Sequence, residues 1–227
     1  IATDKEITSS TTPANGYKLV ENSLRAYKTG DESVAVEIVN GKIIMPAYAV
    51  TVTADFEALP QVLTVETVNN GTITATPNNG IVTGNEITLT TTPANGYKLK
   101  ANSLRAYKTG DKSVVVAIVD GKIAMPAFAV TVTAEFEGLP QVLTLETLNN
   151  GTITATPNNG IVTGTEITLT TTPANGYKLV ENSLRAYKTG DESVAVEIVN
   201  GKIMMPADAV TVTADVEALP QDLTVDT

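Results

Sequence analysis

The phrase Thr-Thr-Pro-Ala-Asn-Gly-Tyr-Lys-Leu stands at 11–19, 91–99 and 171–179, a period of 80 residues. A chain with this period folds as a tandem array of small modules, each a supersecondary unit of its own. Residues 63–142 differ from 143–222 at 15 of 80 positions, and 1–67 differ from 161–227 at 10 of 67. Three periods of 80 make 240 residues against the 227 present, and the 13 that are missing match Val68 to Gly80 of the middle copy. The period divides the chain into repeats at 1–58, 62–138 and 142–218, with a tail at 219–227. On this division the first repeat lacks its opening strands. Each repeat ends in a link of the form Leu-Pro-Gln, at 59–61, 139–141 and 219–221, and the proline makes that joint semi-rigid.

Within a repeat the chain alternates apolar and polar residues between turn signals, and nothing keeps a helical period over a useful length. In the middle copy Thr72–Thr76 and Glu86–Thr90 predict a hairpin closed by a long loop that begins Pro77-Asn78-Asn79-Gly80. Pro93-Ala94-Asn95-Gly96 is a second turn, and Ser103–Thr109 a third strand. Val114, Val116 and Ile118 share a face of a fourth strand, and Asp120-Gly121 predicts a type I′ hairpin into Lys122–Met125. Val130–Phe136 alternates strictly, one face in and one face out. The expected fold is all-β: a tandem array of three small β-sandwich or β-grasp-like modules, about six strands each, with no significant helix.

Composition then removes most chemistry. With no Cys and no His in 227 residues there is no thiolate, no imidazole base and no Cys- or His-bound metal. A net charge of −10 sets the surface against nucleic acid and anionic membranes. No apolar run reaches the roughly 18–20 residues of a membrane helix, so no membrane insertion is expected. The first residues, Ile1 to Lys5, lack the basic start and apolar core of a signal peptide. No catalytic residue, cofactor or metal site is expected, and the chain is not expected to be an enzyme.

The order Gly-Thr-Ile-Thr-Ala-Thr-Pro-Asn-Asn-Gly at 71–80, Thr-Gly-Asn-Glu-Ile-Thr-Leu-Thr-Thr-Thr-Pro-Ala-Asn-Gly-Tyr-Lys-Leu at 83–99 and Met-Pro-Ala-Phe-Ala-Val-Thr-Val-Thr-Ala-Glu-Phe at 125–136 resembles the divergent internalin-type B repeat. The resemblance covers nearly the whole of each repeat. It implies small β modules strung along bacterial surface or secreted proteins as spacers, stalks or adhesive segments, and hence an extracellular or cell-surface setting. It brings no catalytic residues.

Near-identical copies make their differences informative. Tyr48 and Phe128 become Asp208, Phe56 and Phe136 become Val216, and Val62 and Val142 become Asp222. An apolar residue present where another repeat follows, and polar or smaller where none does, predicts inter-unit contacts at Tyr48, Phe56, Val62, Phe128, Phe136 and Val142. Asp208 and Asp222 are then end-caps, as is Ser9, which replaces Leu89 and Leu169. Drift after duplication is the plain alternative. The tail residues Leu223-Thr224-Val225-Asp226-Thr227 repeat the opening strand Leu63-Thr64-Val65-Glu66-Thr67, which the first repeat lacks. A sheet short of a strand exposes unpaired backbone groups. Leu223 and Val225 are therefore expected to anchor a donor strand that adds to the first repeat of another molecule, giving head-to-tail filaments. Return of the tail to its own first repeat, and a frayed tail, are the competing outcomes.

Two further features carry weaker expectations. Asp31-Glu32 and Asp191-Glu192 lie in Gly-led turns that Ca²⁺ could use, but the middle copy has Asp111-Lys112, so solvated turns are expected. The recurring Tyr17, Tyr97, Tyr177 and Tyr27, Tyr107, Tyr187 either pack on sheets or stack on sugar rings. The second choice makes the chain an adhesin that binds glycans or a host protein through repeated surfaces, gaining avidity from three copies.

Overall fold

The computed structural model describes residues 1–221. Its 25 strands are short, and no helix occurs among the described residues. Each later repeat holds nine strands instead of six, from Leu63–Val65 to Phe136–Gly138 and from Leu143–Leu145 to Val216–Ala218, and the first holds seven, from Glu6–Thr8 to Phe56–Ala58.

The extra strands arise where the chain changes sheet. The alternation at 130–136 predicts one strand, but the structure has two, Val130–Thr133 and Phe136–Gly138. At the break the Ser103 hydroxyl donates to the Glu135 carbonyl (2.9 Å) and accepts the Glu135 N–H (3.1 Å). The serine thus bonds both backbone groups that the ladder abandons, and the Lys100 N–H also donates to the Glu135 carbonyl (2.9 Å), so the chain leaves the first sheet at low cost. Phe136–Gly138 then pairs antiparallel with Tyr97–Leu99. Ser183 does the same for Asp215, and Ser23 for Asp55.

The chain forms two compact units. One comprises Ile1–Thr67, Ile73–Thr90 and Leu104–Thr133; the other comprises Val68–Thr72, Thr91–Ser103 and the chain from Ala134 on. In the second, Leu143–Leu145 lies parallel to Val210–Thr213, which pairs antiparallel with Arg185–Lys188, which in turn pairs with Asp191–Val196. Gly151–Thr156, Glu166–Pro173 and Lys202–Met204 form a separate antiparallel sheet. Ile153, Ile167 and Ile203 of this sheet share one core with Ala186, Val210 and Val212 of the other. The period-two alternation places these side chains on one face of each sheet and the threonines on the other.

Asn200 and Gly201 have φ of 51° and 72°, the two left-handed residues of a type I′ turn, and close a bridge between Val199 and Lys202. The turn is the expected one, but its strand goes elsewhere. Lys202–Met204 pairs with Glu166–Thr168, not with the preceding strand. Lys122–Ala124 behaves likewise, pairing with Glu86–Thr88 in the first compact unit.

That unit contains the corresponding four-stranded sheet, with Leu63–Val65 parallel to Val130–Thr133 and then Arg105–Lys108 and Asp111–Val116. It also contains the first repeat's version, which has three strands in the order Asp31–Val36, Arg25–Lys28, Val50–Thr53.

The first two Pro-containing links are hydrogen-bonded on both sides. Leu59 N–H donates to Gly16 (2.7 Å), Gln61 N–H to Ile81 (2.9 Å) and Thr83 N–H to Leu59 (3.0 Å). Pro60 faces Val82 in a bridge that asks it for no donor. In the second compact unit Leu139, Gln141 and Thr163 repeat the pattern onto Gly96, Ile161 and Leu139. The glycine of the turn is required there. Gly96 has φ +80°, and a Cβ on it would meet Ala207 Cβ at 2.6 Å and Thr163 at 2.8 Å, whereas Gly176, φ +85°, has nothing within 4 Å. Gly176→Ala is therefore expected to cost about 1–2 kcal/mol for a side chain in the left-handed region. Gly96→Ala should cost about 1–3 kcal/mol more from overpacking. Urea unfolding of the two full-length variants checks the difference, and equal costs would refute the joint.

Candidate functional site

The feature that separates the three repeats is the outer edge of the Val-Thr-Val-Thr strand. In the middle repeat that edge is filled. Val130, Thr131 and Val132 stand opposite Leu63, Thr64 and Val65, Val130 N–H donates to the Val62 carbonyl and Glu66 N–H donates to the Val132 carbonyl, both at 2.9 Å. The strand ends in a latch: the Tyr107 hydroxyl donates to Glu66 Oε1 at 2.7 Å, and Thr133 also hydrogen-bonds the Glu66 carboxylate. The third repeat repeats this with Leu143–Leu145 on Val210–Thr213, Val142 and Glu146 in the backbone roles, and Tyr187 donating to Glu146 at 3.0 Å. Both valines of each filled strand, Val130, Val132, Val210 and Val212, are 0% exposed.

These hydroxyls shape the acid's chemistry. The bonds from Thr133 and then Tyr107 hold the Glu66 carboxyl below its usual range, and Thr213 and Tyr187 do so for Glu146. Glu66 in turn raises the Tyr107 hydroxyl, while Tyr187 is raised first by burial and then by Glu146. Lys112 sits 5.3 Å over the Tyr107 ring and adds a positive charge near Glu66.

In the first repeat the same edge has no partner among the described residues. Among the described residues Val50–Thr53 pairs on one side only, with Arg25–Lys28. Val52 is 42% exposed, against 0% for its two counterparts. Tyr27 is only half-buried, where Tyr107 and Tyr187 are buried. Thr53 Oγ1 is shielded from solvent without a hydrogen-bond partner, whereas the equivalent Thr133 and Thr213 hydroxyls hold a carboxylate. A buried hydroxyl left unpaired costs on the order of 1–3 kcal/mol.

The residues singled out from differences between copies lie elsewhere. Lys28 Nζ stands 5.8 Å over the Tyr48 ring and Lys108 Nζ 5.7 Å over Phe128; Asp208 replaces the ring with an ion pair to Lys188 at 3.0 Å. The exchange swaps one partner of a lysine for another. Phe136 lies against Gly71, where a Cβ would meet its ring at 2.6 Å, and Val216 is 3.3 Å from the corresponding point on Gly151. Phe56, whose repeat has no such glycine, is 43% exposed. Val62 and Val142 are each 63% exposed and contribute their carbonyls to the filled edges. All these partners belong to the residue's own repeat. Ser9 is half-buried where Leu89 and Leu169 are buried, and its N–H donates to Gly41 at 2.7 Å. Asp222, Leu223 and Val225 lie outside the described residues.

The Pro-Ala-Asn-Gly-Tyr turn makes contact with the following repeat. A Cβ on Gly16 would meet Ala127 and Thr83 at 2.6 Å, and the Tyr17 hydroxyl lies 3.4 Å from the corresponding point on Gly84. Residue differences missed these positions because all three copies share the turn. The acid of the latch was also missed; its signal is the pairing of Glu66 and Glu146 with the tyrosine 41 residues later. The Gly-led turns close on themselves, Asp31, Asp111 and Asp191 each accepting from the serine two residues on. Among the described residues no three acidic groups gather as a metal site.

Three successive all-β modules joined by short Pro-containing links define a tandem repeat array. The model of the divergent InlB B-repeat domain matches residues 2–60, 61–139 and 142–218, and the chain belongs to that family, whose members are repeat modules of bacterial surface proteins. A search of curated proteins finds no match to the chain.

Proposed function

We propose that the chain is an extracellular structural repeat protein whose copies join head to tail, segment 222–227 of one adding as a parallel fourth strand to the Val50–Thr53 edge of another. Its work is mechanical: a filament, or a rigid spacer at the cell surface. The observation behind this is the open edge itself, since the same strand carries a parallel partner in both other repeats. Exposed edges of this kind template pairing with another chain, and strand addition gains affinity from main-chain bonds that the scaffold already presents. The bonded Leu-Pro-Gln links suit the mechanical role because they limit bending between successive repeats.

Light scattering and negative-stain microscopy across a concentration series test it. The intact chain should form polymers that grow with concentration, and a chain ending at residue 221 should remain monomeric. Polymers that persist unchanged without 222–227 would overturn the proposal. So would a monomer at every concentration whose edge amides at Val50 and Val52 are protected from exchange, the mark of a tail folded back on its own molecule.

A further inference from the structure

The Asn-Gly hairpin turn stands beside a feature that neither the links nor the latches use. In the third repeat a cavity of about 480 Å³ lies between the end of Asp191–Val196 and the strand Lys202–Met204. Val199 and Met204 line it and are 53% and 58% exposed, two large apolar side chains bared at one place. Among the described residues Lys202–Met204 pairs on one side only, with Glu166–Thr168. Met205 N–H donates to the Thr165 carbonyl and the Met205 carbonyl accepts from Gly164 N–H, both at 2.8 Å. By the alternation of an antiparallel ladder, Met204 turns its own N–H and C=O to the opposite side, where Val199 already bonds Lys202. Glu166 and Lys202 neutralise each other at 2.7 Å, whereas Glu197 has no ion-pair partner among the described residues and leaves one net negative charge on the lining. The first repeat has the same arrangement around about 540 Å³, with Val39, Ile44, Glu37 and the Glu6–Lys42 pair at 2.7 Å. Each cavity lies within one compact unit. The middle repeat keeps the valine as Val119 but has Ala117 for the acid, Asp120 for the asparagine and Ala124 for the second large apolar residue.

We infer that the cavity beside this turn, in the third repeat and again in the first, binds an extended basic and apolar peptide segment of a partner protein. The guest lays an apolar side chain against Val199 and Met204 and sets a lysine or arginine against Glu197; Val39, Ile44 and Glu37 do the same in the first repeat. The site is built from residues inside the repeats and is independent of how copies of the chain join. Main-chain bonds to Met204 are open to any extended segment, so the side chains decide which segment is taken. Charge complementarity selects the cation. The net charge of −10 repels an acidic guest at long range, and Glu197 gives a basic one a fixed place at short range. No aromatic ring lines either cavity, so a sugar has no face to stack on. Both volumes fall within the roughly 300–1,000 Å³ of ordinary ligand cavities, room for a few side chains of a peptide and not for a folded surface. The middle repeat, with alanine in place of both the acid and the apolar anchor, is a control carried within the same chain.

A labelled hexapeptide alternating valine and lysine, which presents both side-chain types in either register, is titrated into the intact chain by fluorescence polarisation. Serine–lysine and valine–glutamate versions are run beside it, all at about 0.15 M salt, where diffuse attraction between exposed charges is largely screened. The valine–lysine peptide should bind, the serine–lysine peptide should bind about tenfold more weakly for want of the apolar contact, and the valine–glutamate peptide should not bind. Calorimetry should count two sites per chain. Glu197→Ala with Met204→Ala gives the third repeat the residues that the middle repeat carries in the same fold, so that variant should stay folded and keep one site. Ala117→Glu, Asp120→Asn and Ala124→Met together make the converse change and should raise the count to three. Equal binding of the valine–lysine and serine–lysine peptides, a count that ignores these substitutions, or no binding by any peptide each overturns the site.

Discussion

Truncating Ile167 to alanine should lower the stability of the third repeat by about 2–5 kcal/mol, and truncating Ile7, the same position in the first repeat, by roughly a third of that or less. The residue, its strand and its cross-strand partner are equivalent: Ile167 stands opposite Ile203 and Ile7 opposite Ile43. The difference is burial. Ile167 is 0% exposed beneath a three-stranded sheet, whereas Ile7 is half-buried in a sheet that has two strands among the described residues. The cost of losing methyl groups scales with the cavity left behind, and a site already open to water leaves little cavity. Because arrays unfold repeat by repeat, a single melting temperature would blur the contrast. Native-state hydrogen exchange at the amides of Glu166–Pro173 and Glu6–Thr8 resolves it. A larger loss at Ile7 than at Ile167 would mean that the first repeat is covered by something other than its own strands.

The array, the all-β class and the turns were legible in the sequence because each rests on local chemistry: alternation, Asn-Gly pairs, prolines at fixed offsets. Pairing was not. Nothing local in Val130–Phe136 says that the strand must break, since the break is made by Ser103, 32 residues away. Nothing in Asp120-Gly121 says that the strand it launches pairs with Glu86–Thr88. The site was legible in part. The period sets the phase of each repeat, but the unsatisfied hydroxyl of Thr53 does not follow from it, because Thr53 is identical to Thr133 and Thr213 and differs only in what stands beside it among the described residues. Differences between copies drew attention to Tyr48, Phe128 and Asp208, which exchange partners for a lysine within one repeat. The turn that meets the next repeat is the same in every copy. Comparing near-identical repeats finds what varies, and the joint, which the Gly16 and Gly96 turns both form, does not vary.

The latches should open in acid. Glu66 and Glu146 have their carboxyls held below the ordinary value of about 4.3 because hydroxyl donors bond the charged form. A group depressed in the folded state contributes its stabilisation in full above the unfolded value and loses it as pH falls through the folded one. Below about pH 4 the strands Leu63–Val65 and Leu143–Leu145 should therefore loosen first, each held at one end by the titrating acid. The charged neighbours differ. Lys112 faces the Glu66 latch and Arg185 the Glu146 latch, with Glu192 near Tyr187 where the middle repeat has Lys112. The middle latch should thus hold to the lower pH. Amide exchange at Glu66 and Glu146, whose N–H groups close the two edges, should lose protection by roughly tenfold across this range while the Arg25–Lys28 amides, in a repeat with no such latch among the described residues, change little. Glu66→Gln keeps an oxygen for both hydroxyls and removes the titration. Its edge should be somewhat weaker at pH 7 and should show no acid step of its own, whereas Glu146 in the same molecule keeps its step. An acid step that survives at position 66 in that variant would place the titrating group elsewhere in the sheet.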